Sequence, residues 1–296
     1  MTEEVRRSGL VALAGRPNVG KSTLVNRLVG EHVAAVSAKP QTTRRRAIGV
    51  VHRPGSQLVM VDLPGFQKPF DRLTERMQRS VNETLDDADA TLLVLDARAP
   101  IGPGDRYIAA RVLADGAPPC LIALNKTDGL GADRVVPALA AAAALVDPHA
   151  VHPISARTGE GTDALLADLL ALLPEGPAWF PEGMTTDQPL EQRIGELIRE
   201  RALELTRDEV PHAVAVLVES VEPGRGRTVV EAKLICETAS QKAILIGRGG
   251  SMVKRIGSEA RPGIEAAVGG PVFLDLSVKV RPRWRRDTAE LDRLGV

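Results

Sequence analysis

The sequence predicts an α/β domain with a mostly parallel sheet and helices on both faces, followed by a smaller α+β domain. Short apolar runs alternate with helical patterns up to about Leu173, which is typical of βαβ units. A Pro- and Gly-rich stretch follows, and beyond it the pattern changes to helices and alternating strands. The 296 residues leave room for about two domains. We therefore assign residues 1–175 to the first domain, 176–189 to a linker and 190–296 to the second domain.

Six apolar runs in the first domain have the length and composition of buried strands: residues 10–14, 47–51, 58–61, 91–96, 120–124 and 151–154. Three runs have helical character: one that starts at Ser22, one over residues 133–146 and one over residues 162–173. Because the strands alternate with helices, the sheet is expected to be mostly parallel and covered on both faces.

A glycine-rich segment lies between the first strand and the first helix. It fits the pattern G-x-x-x-x-G-K-[ST] and consists of Gly15, Arg16, Pro17, Asn18, Val19, Gly20, Lys21 and Ser22, with Thr23 next. Such a loop turns backbone N–H groups toward phosphates, while its lysine adds positive charge near the β and γ oxygens and its serine binds magnesium. A plain glycine-rich turn is the alternative, but the filled pattern and both flanks favour a nucleoside triphosphate site.

Two later turns predict which base is bound. Asn125, Lys126, Thr127 and Asp128 follow a buried strand, at the sheet edge where α/β proteins bind ligands. The Asp128 carboxylate can accept from both the ring N–H and the exocyclic amine of guanine, whereas adenine has no such pair of donors. Lys126 is expected to lie over the base and Asn125 to brace the phosphate loop. A second turn, expected to offer backbone N–H to the guanine oxygen, consists of Ser155, Ala156 and Arg157. GTP and GDP are the expected ligands.

The residues expected to act on the γ-phosphate lie between these motifs. Asp62, Leu63, Pro64 and Gly65 form a D-x-x-G switch, in which Asp62 can hold magnesium through water and the Gly65 N–H can sense the γ-phosphate. A polar loop over residues 39–46 is suited to order when a threonine hydroxyl joins the metal, and we favour Thr43 over Thr42. A solvated basic loop is the alternative. The candidate catalytic residues are Lys21, Thr43, Asp62 and Gly65.

The residue after this switch cannot position water through its side chain. Several GTPases have glutamine there, whereas Phe66 has no side-chain hydrogen-bonding group, and the next residue is Gln67. Slow intrinsic hydrolysis is therefore expected, with water positioned by backbone groups, an ion or a partner. Asn18 is a candidate ligand for a monovalent cation such as K⁺ beside the phosphates. The alternative, which the sequence favours equally, is that Asn18 is an ordinary loop residue that binds no cation.

The second domain shows the order helix, two strands, helix, G-x-x-G, helix, strand. Its elements are predicted at residues 190–206, 213–221, 228–236 and 240–246, then from Ser251 onward, and at 272–280. This is the order of a type II KH domain, in which the G-x-x-G loop clamps a nucleic-acid backbone. Without the surrounding element order, the G-x-x-G pattern could also be an ordinary turn between two helices. The candidate RNA-binding residues are Lys242, Gly247, Arg248, Gly249, Gly250, Lys254 and Arg255.

Positive charge concentrates around this loop. Residues 240–286 contain ten Lys or Arg against three Asp or Glu, although the whole chain has a formal net charge of zero. A phosphate backbone is the expected partner, and a solvated charged face is the alternative. Phe273 and Trp284 are the aromatic residues of this stretch, which argues against a base-stacking platform.

Composition predicts a cytosolic protein, and we expect a monomer. The two cysteines, Cys120 and Cys236, lie in apolar strand-like runs, which argues for reduced thiols and against a disulfide framework or zinc site. The five histidines show no metal-ligand spacing. Residues 1–4 are acidic and polar, so no signal peptide is expected, and no apolar run is long enough to span a bilayer.

Taken together, the motifs resemble the Era family of bacterial GTPases, which carry a C-terminal type II KH domain. The resemblance rests on residues 15–26, 40–44, 62–65, 125–128, 246–257 and 278–280, with Trp284, Leu294 and Gly295. It implies hydrolysis of GTP to GDP, recognition of single-stranded RNA near the 3′ end of 16S rRNA, and a role in assembling the 30S ribosomal subunit. It also implies peripheral association with the inner face of the cell membrane. Pro262 and Gly263 depart from the family pattern and are expected to end or kink the last long helix.

Two other functions remain open from the sequence. A related GTPase could act in tRNA modification or in a membrane process, although the KH order and the lack of spans count against it. An RNA chaperone could use GTP mainly as a ligand. Intact Thr43, Asp62 and Gly65 favour hydrolysis over this second alternative.

Overall fold

The computed structural model describes residues 7–37, 39, 41–112, 116–145 and 148–296. Residues 1–4, Pro40 and Val146, to which the sequence predictions above extend, lie outside the described residues. The chain forms two compact units. The first contains Met1–Ala34, Thr43–Lys68 and Met77–Asp187, and the second contains Ala35–Thr42, Pro69–Arg76 and Gln188–Val296. Two short early segments therefore fold with the C-terminal residues, which the sequence pattern did not indicate.

The first unit contains a six-stranded sheet in the order β2-β3-β1-β4-β5-β6. Its strands are β1 (Arg7–Ala14), β2 (Ala47–Arg53), β3 (Ser56–Asp62), β4 (Ala90–Asp96), β5 (Cys120–Asn125) and β6 (Ala150–Pro153). All neighbouring pairs are parallel except β2 and β3. The predicted mostly parallel sheet is confirmed, and the carboxyl ends of β1, β3, β4 and β5 meet at one edge.

Helices cover both faces of this sheet. They are α1 (Lys21–Val29), α2 (Arg72–Asp87), α3 (Pro103–Val112), α4 (Ala132–Ala143) and α5 (Thr162–Leu172), and α2 and α3 were not predicted. Alternate side chains of β1 enter two different cores: Val11 and Leu13 belong to one, and Ala12 and Ala14 to the other. Both faces of the strand are therefore buried, as its uninterrupted apolar sequence requires.

Most of the predicted linker, up to Asp187, belongs to the first unit, where it is hydrogen-bonded to β2 and β3. The Gln57 side-chain oxygen accepts from the backbone N–H groups of Trp179 and Phe180 at 2.7 and 3.0 Å, and its amide donates to the Phe180 carbonyl at 2.8 Å. The Val50 N–H donates to the Thr185 carbonyl at 2.8 Å. Because Val50 lies on the edge strand β2, this contact covers an otherwise open sheet edge.

The second unit has the predicted KH element order. Its elements are α6 (Leu190–Leu205), α7 (Val210–Ala213), β7 (Ala215–Pro223), β8 (Thr228–Cys236), α8 (Ala239–Ile246), α9 (Ser251–Val268), β9 (Val272–Val280) and α10 (Thr288–Leu294). β8 is the central strand, antiparallel to β7 and parallel to β9. The short helix α7 and the terminal helix α10 were not predicted.

Pro262 was expected to end or kink the last long helix. The expectation that the helix ends there is wrong, since α9 runs from Ser251 to Val268 through this proline. Proline removes one backbone donor, which leaves the Ser258 carbonyl without its usual helical partner. Packing compensates, because Ile256, Ala260 and Ile264 are buried in the core of the second unit. A Cβ on Gly263 would lie 3.1 Å from Leu197 Cδ2, so glycine there allows α6 to approach closely.

Both cysteines are buried free thiols, and burial raises the pKa of Cys120 to about 12. No group of His, Cys, Asp and Glu that could hold a metal ion occurs among the described residues. Within the same residues, every helix is too short or too polar to cross a bilayer.

Candidate functional site

The phosphate-loop residues form a tight turn between β1 and α1. Gly20 has φ 102° and caps α1, and a Cβ there would lie 2.2 Å from the Asn125 amide nitrogen, so only glycine fits. The buried Lys21 ammonium donates to the Gly15 and Arg16 carbonyls at 3.1 Å each. Burial lowers the pKa of Lys21 to about 8, against the opposing effect of Asp62.

Three side chains proposed to hold magnesium converge on one point. Ser22 Oγ donates to Asp62 Oδ2 at 2.6 Å, Thr43 Oγ1 donates to the same oxygen at 3.1 Å, and the two hydroxyls are 3.1 Å apart. Thr42 is turned away, because its hydroxyl donates to the Lys39 carbonyl at 2.7 Å. The preference for Thr43 over Thr42 is therefore supported by geometry.

Asp62 is fully buried, and burial raises the pKa of its carboxyl while Lys21, Ser22 and Thr43 oppose the rise. Its second oxygen, Oδ1, is buried without a hydrogen-bond partner among the described residues. A buried carboxylate oxygen is costly to leave unpaired, so this atom indicates a cation or water as its natural partner.

The D-x-x-G residues pass close to the phosphate loop. Leu63 and Pro64 are buried, and a Cβ on Gly65 would lie 2.7 Å from Pro17 Cγ. Phe66 packs against the core of the first unit and Gln67 Nε2 lies 4.0 Å from Met77 Sδ.

Asn125 braces the phosphate loop as expected. Its amide nitrogen donates to the Val19 carbonyl at 2.8 Å, and its oxygen accepts from the Ala156 N–H at 2.9 Å. One side chain thus ties the phosphate loop to the loop of residues 155–157.

Lys126 and Asp128 are held by groups of opposite charge. Lys126 has φ 68°, and its ammonium donates to the Asn18 carbonyl at 2.6 Å and to Asp96 Oδ2 at 2.7 Å. Asp128 Oδ1 accepts from Ser155 Oγ at 2.9 Å. Asp128 Oδ2 accepts from Arg98 at 2.8 Å and also from Arg157.

The Ser155 hydrogen bond, together with Arg157 and Arg98, lowers the pKa of the Asp128 carboxyl despite some desolvation. The group is therefore ionised at neutral pH, which the proposed recognition of two guanine donors requires.

Four residues that support the site were not found from the sequence. One is the buried Asp105 of α3, which accepts from Arg16 Nε of the phosphate loop at 2.7 Å. Arg27 of α1 donates to the carbonyls of Ala156 and Arg157. The four supporting residues are Arg27, Asp96, Arg98 and Asp105. Asp96 had a sequence signal, because it ends a strand at the ligand-binding edge, but the others depend on contacts distant in sequence.

An open pocket of about 360 Å³ lies between α1, the turn that follows it and the loop of residues 155–157. Three predicted GTP-binding residues, Thr23, Ala156 and Arg157, contribute to its lining, and α1 and the following turn supply the rest. The pocket therefore borders the predicted nucleotide site at these three residues.

The G-x-x-G loop joins α8 to α9 in the second unit. Gly247 has φ 72° and ψ 173°, and a Cβ there would lie 2.7 Å from the Met252 nitrogen, so glycine is required. Arg248 and Gly249 are exposed at its tip, and the Gly250 N–H donates to the Gly247 carbonyl at 3.2 Å. The loop presents one cation and exposed backbone to solvent.

The basic residues around the loop divide into two groups. Arg248 and Lys254 are exposed, and Lys242 is half-buried on α8. Arg255 is mostly exposed but pairs with Glu259 at 2.7 Å. Farther along, Arg285 pairs with Glu237 at 2.7 Å, so part of the predicted positive charge is neutralised within the unit.

Comparison with known proteins gives two family matches. Residues 10–126 match the model described as 50S ribosome-binding GTPase, and residues 209–285 match the model described as KH domain. The first match contains the phosphate loop and the D-x-x-G residues, and the second contains the G-x-x-G loop.

Whole-chain relatives also match. The chain is 45% identical over 294 residues to GTPase Era of Mycobacterium avium (strain 104), covering 98% of each protein. It is 44% identical to GTPase Era of Mycobacterium tuberculosis (strain ATCC 25177 / H37Ra), covering 97% of this chain and 98% of that protein.

Two solved structures are similar over nearly the full length. One is an Aquifex aeolicus Era variant bound to GDP·AlF4⁻, with TM-score 0.94, 37% identity, and coverage of 98% of this chain and 99% of that chain. The other is Era in complex with MgGDPNP and nucleotides 1506–1542 of 16S ribosomal RNA, with TM-score 0.93 at the same identity and coverage.

Proposed function

The chain belongs to the Era family of GTPases and hydrolyses GTP to GDP, and from that premise we propose that it is a molecular switch that binds single-stranded RNA near the 3′ end of 16S rRNA and assists assembly of the 30S ribosomal subunit. The convergence of Ser22, Thr43 and Asp62 on one point carries the hydrolytic part of this proposal. The G-x-x-G loop of the KH unit supports the RNA part.

Magnesium fits the proposed catalytic cluster. Hydroxyl and carboxylate oxygens are the ligands this ion prefers, and Asp62 Oδ1 is a buried oxygen without a protein partner among the described residues. Ser22 and Thr43 would hold the ion directly and Asp62 through water. Mg²⁺ supplies neutralisation of the charge that develops on the phosphate oxygens. Lys21 would place its positive charge at the β and γ phosphates, and the Gly65 N–H would orient the γ-phosphate.

Positioning of the attacking water falls to groups other than the Phe66 side chain, because this side chain cannot hydrogen-bond. Slow intrinsic hydrolysis follows. Asn18 is exposed on the phosphate loop, and its backbone carbonyl is held by the Lys126 ammonium, so the side-chain oxygen of Asn18 is the proposed K⁺ ligand. K⁺ there would supply positive charge where some GTPases use an arginine.

The proposed RNA site consists of Gly247, Arg248, Gly249 and Gly250 with three flanking cations, Lys242, Lys254 and Arg255. A KH loop of this kind clamps about four nucleotides of backbone. The relative solved with nucleotides 1506–1542 of 16S ribosomal RNA supports the 3′ end of this RNA as the partner.

Two assays on the full chain test this function. Phosphate release from GTP measures hydrolysis. Filter retention compares an RNA that matches the 3′ end of 16S rRNA with a shuffled RNA of equal length and composition. We expect slow GTP turnover and tighter binding of the matched RNA with GTP than with GDP. Equal binding of the matched and shuffled RNAs would contradict the proposed RNA partner. If no phosphate is released, the protein uses GTP only as a ligand.

For location, we propose a cytoplasmic monomer that contacts the inner face of the cell membrane peripherally, on the basis of the family resemblance. Light scattering after gel filtration tests the monomer. Flotation with vesicles of anionic phospholipid tests the membrane contact, and protein that stays at the bottom of the gradient would contradict it.

A further inference from the structure

We propose that Arg98 is a positioning residue that fixes the Asp128 carboxylate and thereby sets the selectivity for guanine over hypoxanthine. This inference rests on the proposed role of Asp128 in base recognition. Arg98 lies in the turn after β4 and would join Asp128 as a residue that determines base specificity.

Arg98 contacts both ends of the Lys126–Asp128 turn. Its Nε donates to the Lys126 carbonyl at 3.3 Å, and one terminal nitrogen donates to the Asp128 carbonyl at 3.1 Å and to Asp128 Oδ2 at 2.8 Å. One guanidinium therefore fixes the backbone on both sides of Thr127 together with the functional carboxylate. Only arginine combines a planar set of donors with a permanent charge.

The segment that carries Arg98 is itself fixed. The Arg98 N–H donates to Asp96 Oδ1 at 2.9 Å, and the Ala97 N–H donates to the Asn125 carbonyl at 2.8 Å. Asp96 Oδ2 accepts from the Lys126 ammonium at 2.7 Å. Asp96 and Arg98 thus supply the opposite charges that Lys126 and Asp128 need, from one turn at the end of β4.

The Asp128 carboxylate has too few acceptor sites to keep both arginines when a guanine base binds. An ionised carboxylate offers about four lone-pair sites. Ser155, Arg98 and Arg157 occupy three, while guanine needs two. The Arg157 side chain is 75% exposed and that of Arg98 is 47% exposed. Arg98 is also held by two backbone carbonyls. Arg157 is therefore the group that moves, and Arg98 remains opposite the base edge.

A fixed Asp128 carboxylate contributes most to selectivity through its hydrogen bond with the exocyclic amine, the second donor of guanine. Hypoxanthine keeps the ring N–H but lacks the exocyclic amine, so a well-placed carboxylate leaves one acceptor unpaired with IDP and paired with GDP. When the carboxylate is free to rotate, it can turn its unpaired oxygen to water. Loss of Arg98 should therefore reduce the preference for GDP more than it reduces binding in general.

The test measures dissociation constants for GDP and IDP with the full chain. We expect Arg98→Ala to weaken GDP binding by about tenfold and to lower the GDP/IDP preference by several-fold, roughly the loss of one charged hydrogen bond. Arg98→Lys should restore part of the preference, because an ammonium can still reach the carboxylate. Arg111→Ala is the matched control. It removes another half-exposed arginine–aspartate pair, with Asp86 at 2.9 Å, and should change neither constant.

Two outcomes separate this inference from the proposed site. Equal losses for GDP and IDP in Arg98→Ala would mean that Arg98 only stabilises the fold, which would overturn the proposal, and thermal unfolding would show the matching loss of stability. Asp128→Asn tests the site itself, since an amide should weaken GDP and improve xanthosine diphosphate binding. If Asp128→Asn leaves base preference unchanged, the site assignment fails. If only Asp128→Asn changes it, the site stands and the role of Arg98 is wrong.

Discussion

Thr43 Oγ1 and Asp62 Oδ2 are 3.1 Å apart, although the two residues are 19 positions apart in the chain. Ser22 Oγ reaches the same oxygen at 2.6 Å. Two hydroxyls thus share one carboxylate oxygen, and the other oxygen of Asp62 is buried without a partner among the described residues. This arrangement gives the two neighbouring threonines of the loop different roles, with Thr43 in the cluster and Thr42 bonded to the Lys39 carbonyl.

The difference between the threonines predicts unequal effects on hydrolysis. Thr43→Ala removes a proposed metal ligand, and we expect GTP turnover to fall at least about 10-fold, since loss of an outer-shell partner of a metal site alone costs roughly 10- to 100-fold. GDP affinity should change little, because the threonine is expected to join the metal only with the γ-phosphate. Phosphate release under single-turnover conditions measures the effect.

Thr42→Ala is the matched control, since it removes a neighbouring hydroxyl that bonds within its own loop. Its turnover should stay within about threefold of the parent, because this hydroxyl makes no contact with Asp62 and is worth one ordinary hydrogen bond. Equal losses in the two variants would show that loop order, and not a specific ligand, controls hydrolysis.

Lys21 predicts a pH dependence of nucleotide binding. Burial lowers its pKa to about 8 in the free protein, so the ammonium is charged below that pH and neutral above it. Phosphates bind the charged form, hence GDP binding takes up a proton at alkaline pH and affinity falls as pH rises. For a pKa near 8, we expect about a tenfold loss between pH 7 and pH 9. Fluorescence titration with a labelled GDP at constant ionic strength measures it.

Lys21→Gln controls for other titrating groups, including the base. Its affinity should be lower throughout, and the slope above pH 8 should be smaller than in the parent. Parallel pH profiles for the two proteins would show that Lys21 stays charged over this range.

The proposed cation site predicts that K⁺ accelerates hydrolysis relative to Na⁺. We expect roughly a tenfold effect, equivalent to about 1.4 kcal/mol of barrier. Asn18→Ala should remove the difference while it keeps GDP binding, because the Asn18 carbonyl that accepts from Lys126 remains. Equal rates in the two salts at matched ionic strength would contradict the K⁺ site and leave the GTPase activity untouched.

Local signals in the sequence were sufficient for much of the fold and of the nucleotide site. The phosphate loop was predictable because its pattern and both flanking elements are contiguous in the chain. Helix α2 also had a signal, since Leu73, Met77, Val81 and Leu85 are spaced for one buried face, but its polar composition obscured it.

Other features depend on contacts that no local pattern records. Arg98 meets Asp128 only because β4 pairs with β5, with Asp96 opposite Asn125. The continuation of α9 through Pro262 depends on its packing against Leu197 of α6, which overrides local helix propensity.

The last prediction concerns whether the second unit holds RNA through its loop or through general charge. Replacing Arg248 and Gly249 by aspartate keeps Gly247 and Gly250, whose conformations form the turn, and sets two negative charges against the phosphates. Gly249 itself has φ 59°, which aspartate tolerates better than most residues, so the loop should survive. We expect RNA affinity to fall at least about 100-fold, since like charges at a clamped backbone cost several kcal/mol. GDP affinity and unstimulated hydrolysis should persist, because the nucleotide site lies in the first unit.

Arg286→Ala is the comparison, since it removes one cation outside the loop. A single phosphate contact contributes a log–log salt slope of about 0.7 for single strands, so this variant should show a modest loss that fades at high salt. Filter retention across a salt series gives the slopes, and circular dichroism checks folding of all three proteins. The aspartate variant should lose affinity at every salt concentration, because the clamp itself is blocked. If it is folded and binds RNA like the parent, the G-x-x-G segment is only a turn between α8 and α9, and the RNA site must lie elsewhere on this unit.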